Sequence, residues 1–92
     1  MKSRRTQYEI YWEILAFCRL PKTFTSIINR CNLNSKIGQE YLEFLTEKGF
    51  LSNSIFEDKS AFVTADRARK YLDIFSTMYR ELYERSPEFK LR

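Results

Sequence analysis

Two helical apolar patterns meet at a polar break, Cys31-Asn32-Leu33-Asn34, and the second ends at Lys48-Gly49-Phe50 before a hairpin-like stretch that closes at Phe62-Val63-Thr64. This order constrains the chain more than any other feature. Asparagine tolerates left-handed backbone angles and offers a side-chain oxygen to free amides, so Asn32 and Asn34 stop one helix and start another. Leu33 can plug the space between the two helices. Gly49 suits the left-handed residue that closes a helix and turns the chain outward.

The remaining boundaries follow from the same local chemistry. A first helix is expected from Thr6 to Cys18, led by Arg4 and Arg5. Its apolar residues Tyr8, Ile10, Tyr11, Trp12, Ile14, Leu15, Phe17 and Cys18 cover more than one face, so one face can build a core while another meets a partner. Pro21 breaks this helix. Thr23 or Thr25 caps a second helix that runs to about Arg30 and carries Phe24, Ile27, Ile28 and Cys31. Asn34 or Ser35 caps a third, from Ser35 to Lys48, with Ile37, Tyr41, Leu42, Phe44 and Leu45 as its buried stripe. Lys36, Gln39, Glu40, Glu43 and Glu47 share its opposite face.

Strands are expected from Phe50 to Phe56 and over Ala61-Phe62-Val63, joined by Glu57-Asp58-Lys59-Ser60. An isolated hairpin is marginal, so this one should lean on the helices through Leu51, Ile55 and Phe62. Thr64 is placed to cap a long final helix, with Asp66 complementing its dipole. There Ala65, Ala68, Leu72, Phe75, Tyr79 and Leu82 recur at steps of 3, 4, 3, 4 and 3, the spacing of a coiled-coil seam, widened by Tyr71, Met78 and Tyr83. Folding back onto the first helix would use the same stripe within one subunit; the surplus of apolar positions favours dimerisation. Ser86-Pro87 ends the helix. The whole reads as mainly α with a small β-hairpin: a winged helix-turn-helix over residues 1–63, a dimerisation helix over 64–86 and a tail over 87–92.

Composition narrows the chemistry. The chain has 92 residues, a net charge of +4 and no histidine. Without histidine the usual general base, metal ligand and triad member are missing. Its two glycines form no phosphate-cradling loop. The carboxylates Glu40, Glu43 and Glu47, or Glu57 and Asp58, meet no second ligand type and read as solvated side chains. No enzyme, metal, cofactor or small-molecule ligand is indicated. The two cysteines, Cys18 and Cys31, sit among apolar helical positions and read as core thiols. The basic opening lacks a signal-peptide core and no apolar run is long enough for a bilayer, so a cytoplasmic location, associated with the nucleoid, is expected. A positive balance favours a polyanion, although twelve acidic residues dilute it.

The segment from Arg4 through Leu15, Cys31-Asn32-Leu33-Asn34, Tyr41-Leu42-Glu43-Phe44-Leu45 and Lys48-Gly49-Phe50-Leu51 resembles small archaeal winged-helix DNA-binding proteins of the Sulfolobus chromatin-protein type. That resemblance spans Arg4 to about Leu72. It implies a homodimer joined by the final helix as an antiparallel coiled coil, presenting two winged units to double-stranded DNA. It covers chromatin proteins and gene-specific regulators alike, and a cellular or a viral source. The final helix departs from the family pattern, with Thr64-Ala65-Asp66-Arg67 in place of Thr-x-Lys-Gly.

In a helix-turn-helix the start of the second helix approaches the major groove. Here that places Asn34, Ser35, Lys36 and Gln39 near base edges, with Gln39 suited to the paired hydrogen bonds of adenine. The acidic run beyond Gln39 limits insertion to the N-terminal end. Arg4, Arg5, Lys22, Arg30, Lys36 and, at the wing tip, Lys59 are the expected phosphate contacts. A winged-helix protein-interaction module that does not bind DNA is the alternative, and RNA binding through stacked aromatics a weaker third.

Overall fold

The computed structural model describes residues 6–84. Helix α1 spans Gln7–Phe17, strand β1 Lys22–Thr23, α2 Phe24–Cys31, α3 Ser35–Glu47, β2 Leu51–Phe56, β3 Lys59–Thr64 and α4 Asp66–Glu84. Helix α1 begins with a reciprocal capping box: Thr6 Oγ1 accepts from the Glu9 amide, and the Thr6 amide donates to Glu9. Thr23, not Thr25, caps α2 by accepting from the Ser26 amide. The expected helix stop at Ser86-Pro87 and the tail over 87–92 lie outside the described residues.

Both ends of the turn before and after α3 use left-handed residues. Asn32 has φ 57°, and the amides of Leu33 and Asn32 donate to the carbonyls of Ile28 and Asn29. Gly49 has φ 81°, and Phe50 and Gly49 donate to Leu45 and Thr46 in the same pattern. Each is a Schellman closure that satisfies carbonyls the helix leaves free. Gly38 is buried where α3 meets α2, and a Cβ there would collide with Cδ1 of Ile28. The missing side chain leaves room for that of Ile28.

The sheet has three antiparallel strands in the order β1-β3-β2. Strand β1, too short to carry a periodic signal, was not anticipated; it pairs Lys22 with Phe62 and Thr23 with Ala61. The hairpin is longer than expected, with Phe56 opposite Lys59, so the turn contracts to Glu57 and Asp58. Leu51 is buried and Phe62 packs on the core, but Ile55 is 67% exposed because the wing projects beyond the helices there. Thr64 likewise departs from expectation. It closes β3 instead of capping α4: its hydroxyl donates to the Leu15 carbonyl at 2.7 Å and its amide to the Cys18 carbonyl at 2.8 Å.

Ile14, Leu15, Cys18, Ile27, Cys31, Leu42, Leu45, Leu51, Ala68 and Leu72 form one core. The first half of α4 therefore belongs to the globular unit. Phe44, expected in the stripe of α3, is instead 40% exposed and stacks on Tyr11. Both cysteines are buried and form no disulfide, as read from their apolar neighbours.

Burial, reinforced by nearby Cys31 and opposed by Lys22, pushes the Cys18 thiol from an ordinary 9.0 up to about 12. The fold thus holds a proton that the unfolded chain releases. The Cys18 contribution to stability is complete below pH 9.0 and is lost as pH rises toward about 12. Thermal melts across alkaline pH should show this fall, and Cys18→Ala should flatten it; an unchanged slope in the variant would assign the alkaline sensitivity elsewhere.

Candidate nucleic-acid interface

The candidate surface is organised by α3. Asn34 is committed to its cap, its Oδ1 accepting from the Ile37 amide at 2.8 Å. Ser35, Lys36 and Gln39 then project from the first turn and are exposed. Free amides and the positive end of the helix dipole accompany them. Gln39 Nε2 donates to Glu43 Oε2 at 3.3 Å, which directs the amide along the helix toward the acidic end. Glu40, Glu43 and Glu47 are all exposed. A polyanion is thus attracted to the start of α3 and repelled by the rest.

The wing supplies the second edge. Glu57 and Asp58 have φ 51° and 66°, the type I′ geometry that matches the twist of a two-residue hairpin. Lys59 follows directly, exposed, while Ile55 and Phe56 also face solvent. The two turn carboxylates outweigh Lys59 at the tip, so the lysine acts from the flank. A shallow hollow brings Lys59 and Ser60 together with Thr23, Phe24, Thr25 and Ser26 at the start of α2. Thr25 and Ser26 are exposed hydroxyls beside a lysine and a helix N-terminus, a fitting phosphate anchor. Sequence reading noted Thr25 only as a possible cap, since nothing local reveals that the wing folds beside it.

The other expected basic residues are arranged differently. Lys22 and Arg30 both lie over the Phe17 ring, at 4.7 and 5.5 Å from its centre. Neither lines the hollow beside Lys59. Their cationic heads form a separate pair stabilised by the aromatic face. Arg4 and Arg5 lie outside the described residues.

The proposed seam of α4 divides between two environments. Ala68 and Leu72 are 1% and 2% exposed within the subunit, and Ala65 is half-buried. Phe75 and Tyr79 pack against Trp12 at 5.4 and 6.0 Å, and Trp12 Nε1 donates to Ser76 Oγ at 3.2 Å. This much is the fold-back onto α1. Leu82 remains exposed, joined by Tyr71, Ile74 and Met78 on the adjacent face. The exposed apolar face thus keeps Tyr79 and Leu82 of the six-residue seam, each 45% exposed, and widens it with Tyr71, Ile74 and Met78, of which the sequence pattern does not mark Ile74.

No group of metal-binding side chains is assembled among the described residues, and none of their helices is long and apolar enough to cross a membrane. A helix-turn-helix with a hairpin wing defines the class. The chain belongs to the winged helix-turn-helix family, whose model matches residues 4–83. Among solved structures it is similar to Sso10a-2, a DNA-binding protein from Sulfolobus solfataricus, with 22% identity, a TM-score of 0.69 and 94% of each chain covered. A mutant of ZitR from Lactococcus lactis shares 13% identity with a TM-score of 0.67, covering 99% of this chain and 73% of that one. These likenesses establish the shared fold. No curated protein matches by sequence.

The left-handed conformation at Glu57 costs about 1 kcal/mol relative to a residue suited to it. Asn-Gly is the favoured type I′ pair. Glu57→Asn combined with Asp58→Gly should therefore raise stability by roughly 1 kcal/mol in urea melts. It should also tighten binding to any duplex DNA by removing two negative charges. Unchanged DNA affinity would show that the wing tip stays clear of the phosphates.

Proposed function

We propose that this chain is a homodimeric binder of double-stranded DNA, acting as a transcription regulator or a nucleoid-associated protein. The observation that carries the reading is the charge gradient of α3. Ser35, Lys36 and Gln39 are exposed with the helix amides at one end, and Glu40, Glu43 and Glu47 follow at the other. Insertion of the N-terminal turn alone suits this gradient. Lys36 and Gln39 read base edges, while Lys59, Thr25 and Ser26 hold the backbone, supported by Lys22, Arg30, Arg4 and Arg5. That Sso10a-2, similar in fold, is a DNA-binding protein supports the same reading.

A second copy covers the stripe of Tyr71, Ile74, Met78 and Leu82, each at least 45% exposed. Large apolar side chains at helical spacing rarely stay bare in a small soluble unit. The competing reading is a winged helix used for protein contact, favoured by the acidic face of α3. Gel-shift titration against random duplex and the chain's own upstream region, at two salt concentrations, decides among these. Preference for upstream DNA at higher salt marks a regulator, equal salt-sensitive binding a nucleoid role, and no binding at low salt the protein module. A dimer making on the order of six phosphate contacts loses about a thousandfold in affinity between dilute and physiological salt.

Lys36→Ala with Gln39→Ala should mainly erase the difference between preferred and random DNA. Arg4→Ala with Arg5→Ala should weaken both equally and flatten the salt dependence. Equal effects from the two pairs would dissolve that division of labour. Ile74→Glu with Met78→Glu should leave the helical circular dichroism intact but halve the mass in light scattering and weaken DNA binding. A persistent dimer would move the interface off this stripe.

A further inference from the structure

Between α3 and the wing lies a trough of about 520 Å³ whose edge carries Gln39 but whose apolar interior the DNA reading leaves unassigned. Its volume falls in the range of small-molecule sites. Phe24, Leu42 and Phe62 supply an apolar floor, and Asn53 of β2 stands on the wing side. Glu43 and Glu47, one helical turn apart, line it beside Gln39, Thr46 and Ser60; Gln39 donates to Glu43, and the lining contains neither lysine nor arginine. The floor and this rim select for opposite properties in one ligand.

Phosphate is repelled by the two carboxylates, so the trough is not a backbone channel. A neutral apolar molecule would desolvate those carboxylates without compensation. Like charges at this helical spacing repel, and a cation placed between them relieves that strain. The aromatic residues Phe24 and Phe62 in the lining suit a poorly hydrated positive charge. We infer that the trough binds an amphipathic organic cation: a compact apolar body bearing one permanent positive charge, seated on Phe24, Leu42 and Phe62 with its charge toward Glu43 and Glu47. This assignment goes beyond the DNA reading and shares Gln39 with it, so a titration without DNA tests it separately. No motif in the sequence announces the site, because its walls come from α2, α3, β2 and β3.

Tetraphenylphosphonium and tetraphenylborate share shape and apolar surface and differ in the sign of their charge. Titrated into the full chain without DNA, tetraphenylphosphonium should bind saturably and shift the amide resonances of Thr46, Asn53 and Ser60; tetraphenylborate should not. Glu43→Gln with Glu47→Gln should weaken the cation about tenfold, the scale of two exposed charge contacts. Asn53→Trp, at an exposed strand position, should fill the trough and abolish binding without lowering the melting temperature. Equal binding of the borate, indifference to the neutral variant, or resonance shifts elsewhere would each overturn the assignment, as would absence of binding.

Discussion

Thr64 is the residue on which the arrangement of the other elements depends. It is 2% exposed, and its hydroxyl and amide donate to the carbonyls of Leu15 and Cys18 at the end of α1. The last carbonyls of a helix have no partner within it, and one buried without a donor costs about 1–3 kcal/mol. Satisfying them from β3 fixes the central strand against α1. Both neighbouring strands inherit their position from that strand. The next amide, Ala65, donates to the Phe50 carbonyl, so the exit from α3 and the entry to α4 are tied at the same corner.

Around this corner, the two Schellman closures set the length and direction of α3. Asn32 ends α2 so that Asn34 can start α3, and Gly49 ends α3 so that Leu51 enters the sheet. Gly38 leaves room for the Ile28 side chain where α2 meets α3. The result is a short helix whose inner face is fixed by Leu42 and Leu45 and whose outer face is free to carry charge.

Most of this was legible because it is written in local chemistry. Caps at Thr23 and Asn34, the left-handed closures and the periodicity of the helices each depend on a few adjacent residues, whereas Thr6, expected as the first helical residue, is the cap of α1. The misreadings share one cause: tertiary placement, by supplying or withholding a partner, decided what local sequence could not show. Thr64 has the form of a helix cap, but the carbonyls of α1 claim its hydroxyl. Ile55 keeps the alternation begun by Leu51, yet the wing has already left the core at that point. On α4, Ala68 and Leu72 follow coiled-coil spacing but are claimed by the subunit's own core, which leaves the exposed apolar face to Tyr79 and Leu82 with Tyr71, Ile74 and Met78. The candidate DNA-reading positions could be named from the helix-turn-helix order alone, whereas Thr25 and Ser26 required the wing to be placed beside them.

The positive balance of the chain is not concentrated on α3. Lys22 and Arg30 cover Phe17, Lys48 covers Phe44 and Arg67 covers Phe50, while Arg19 pairs with Asp73. Many cations are thus engaged with aromatic rings or carboxylates, and the start of α3 and the flank of the wing together contribute only Lys36 and Lys59. Those two charges alone give weak attachment to phosphate, which the other basic residues of the proposed interface reinforce. In the proposed dimer, the second winged unit binds at high effective concentration once the first is engaged, and two modest footprints combine into a firm one. The proposed homodimer would thus answer both features at once, covering the exposed face of α4 and doubling the sparse charge of α3.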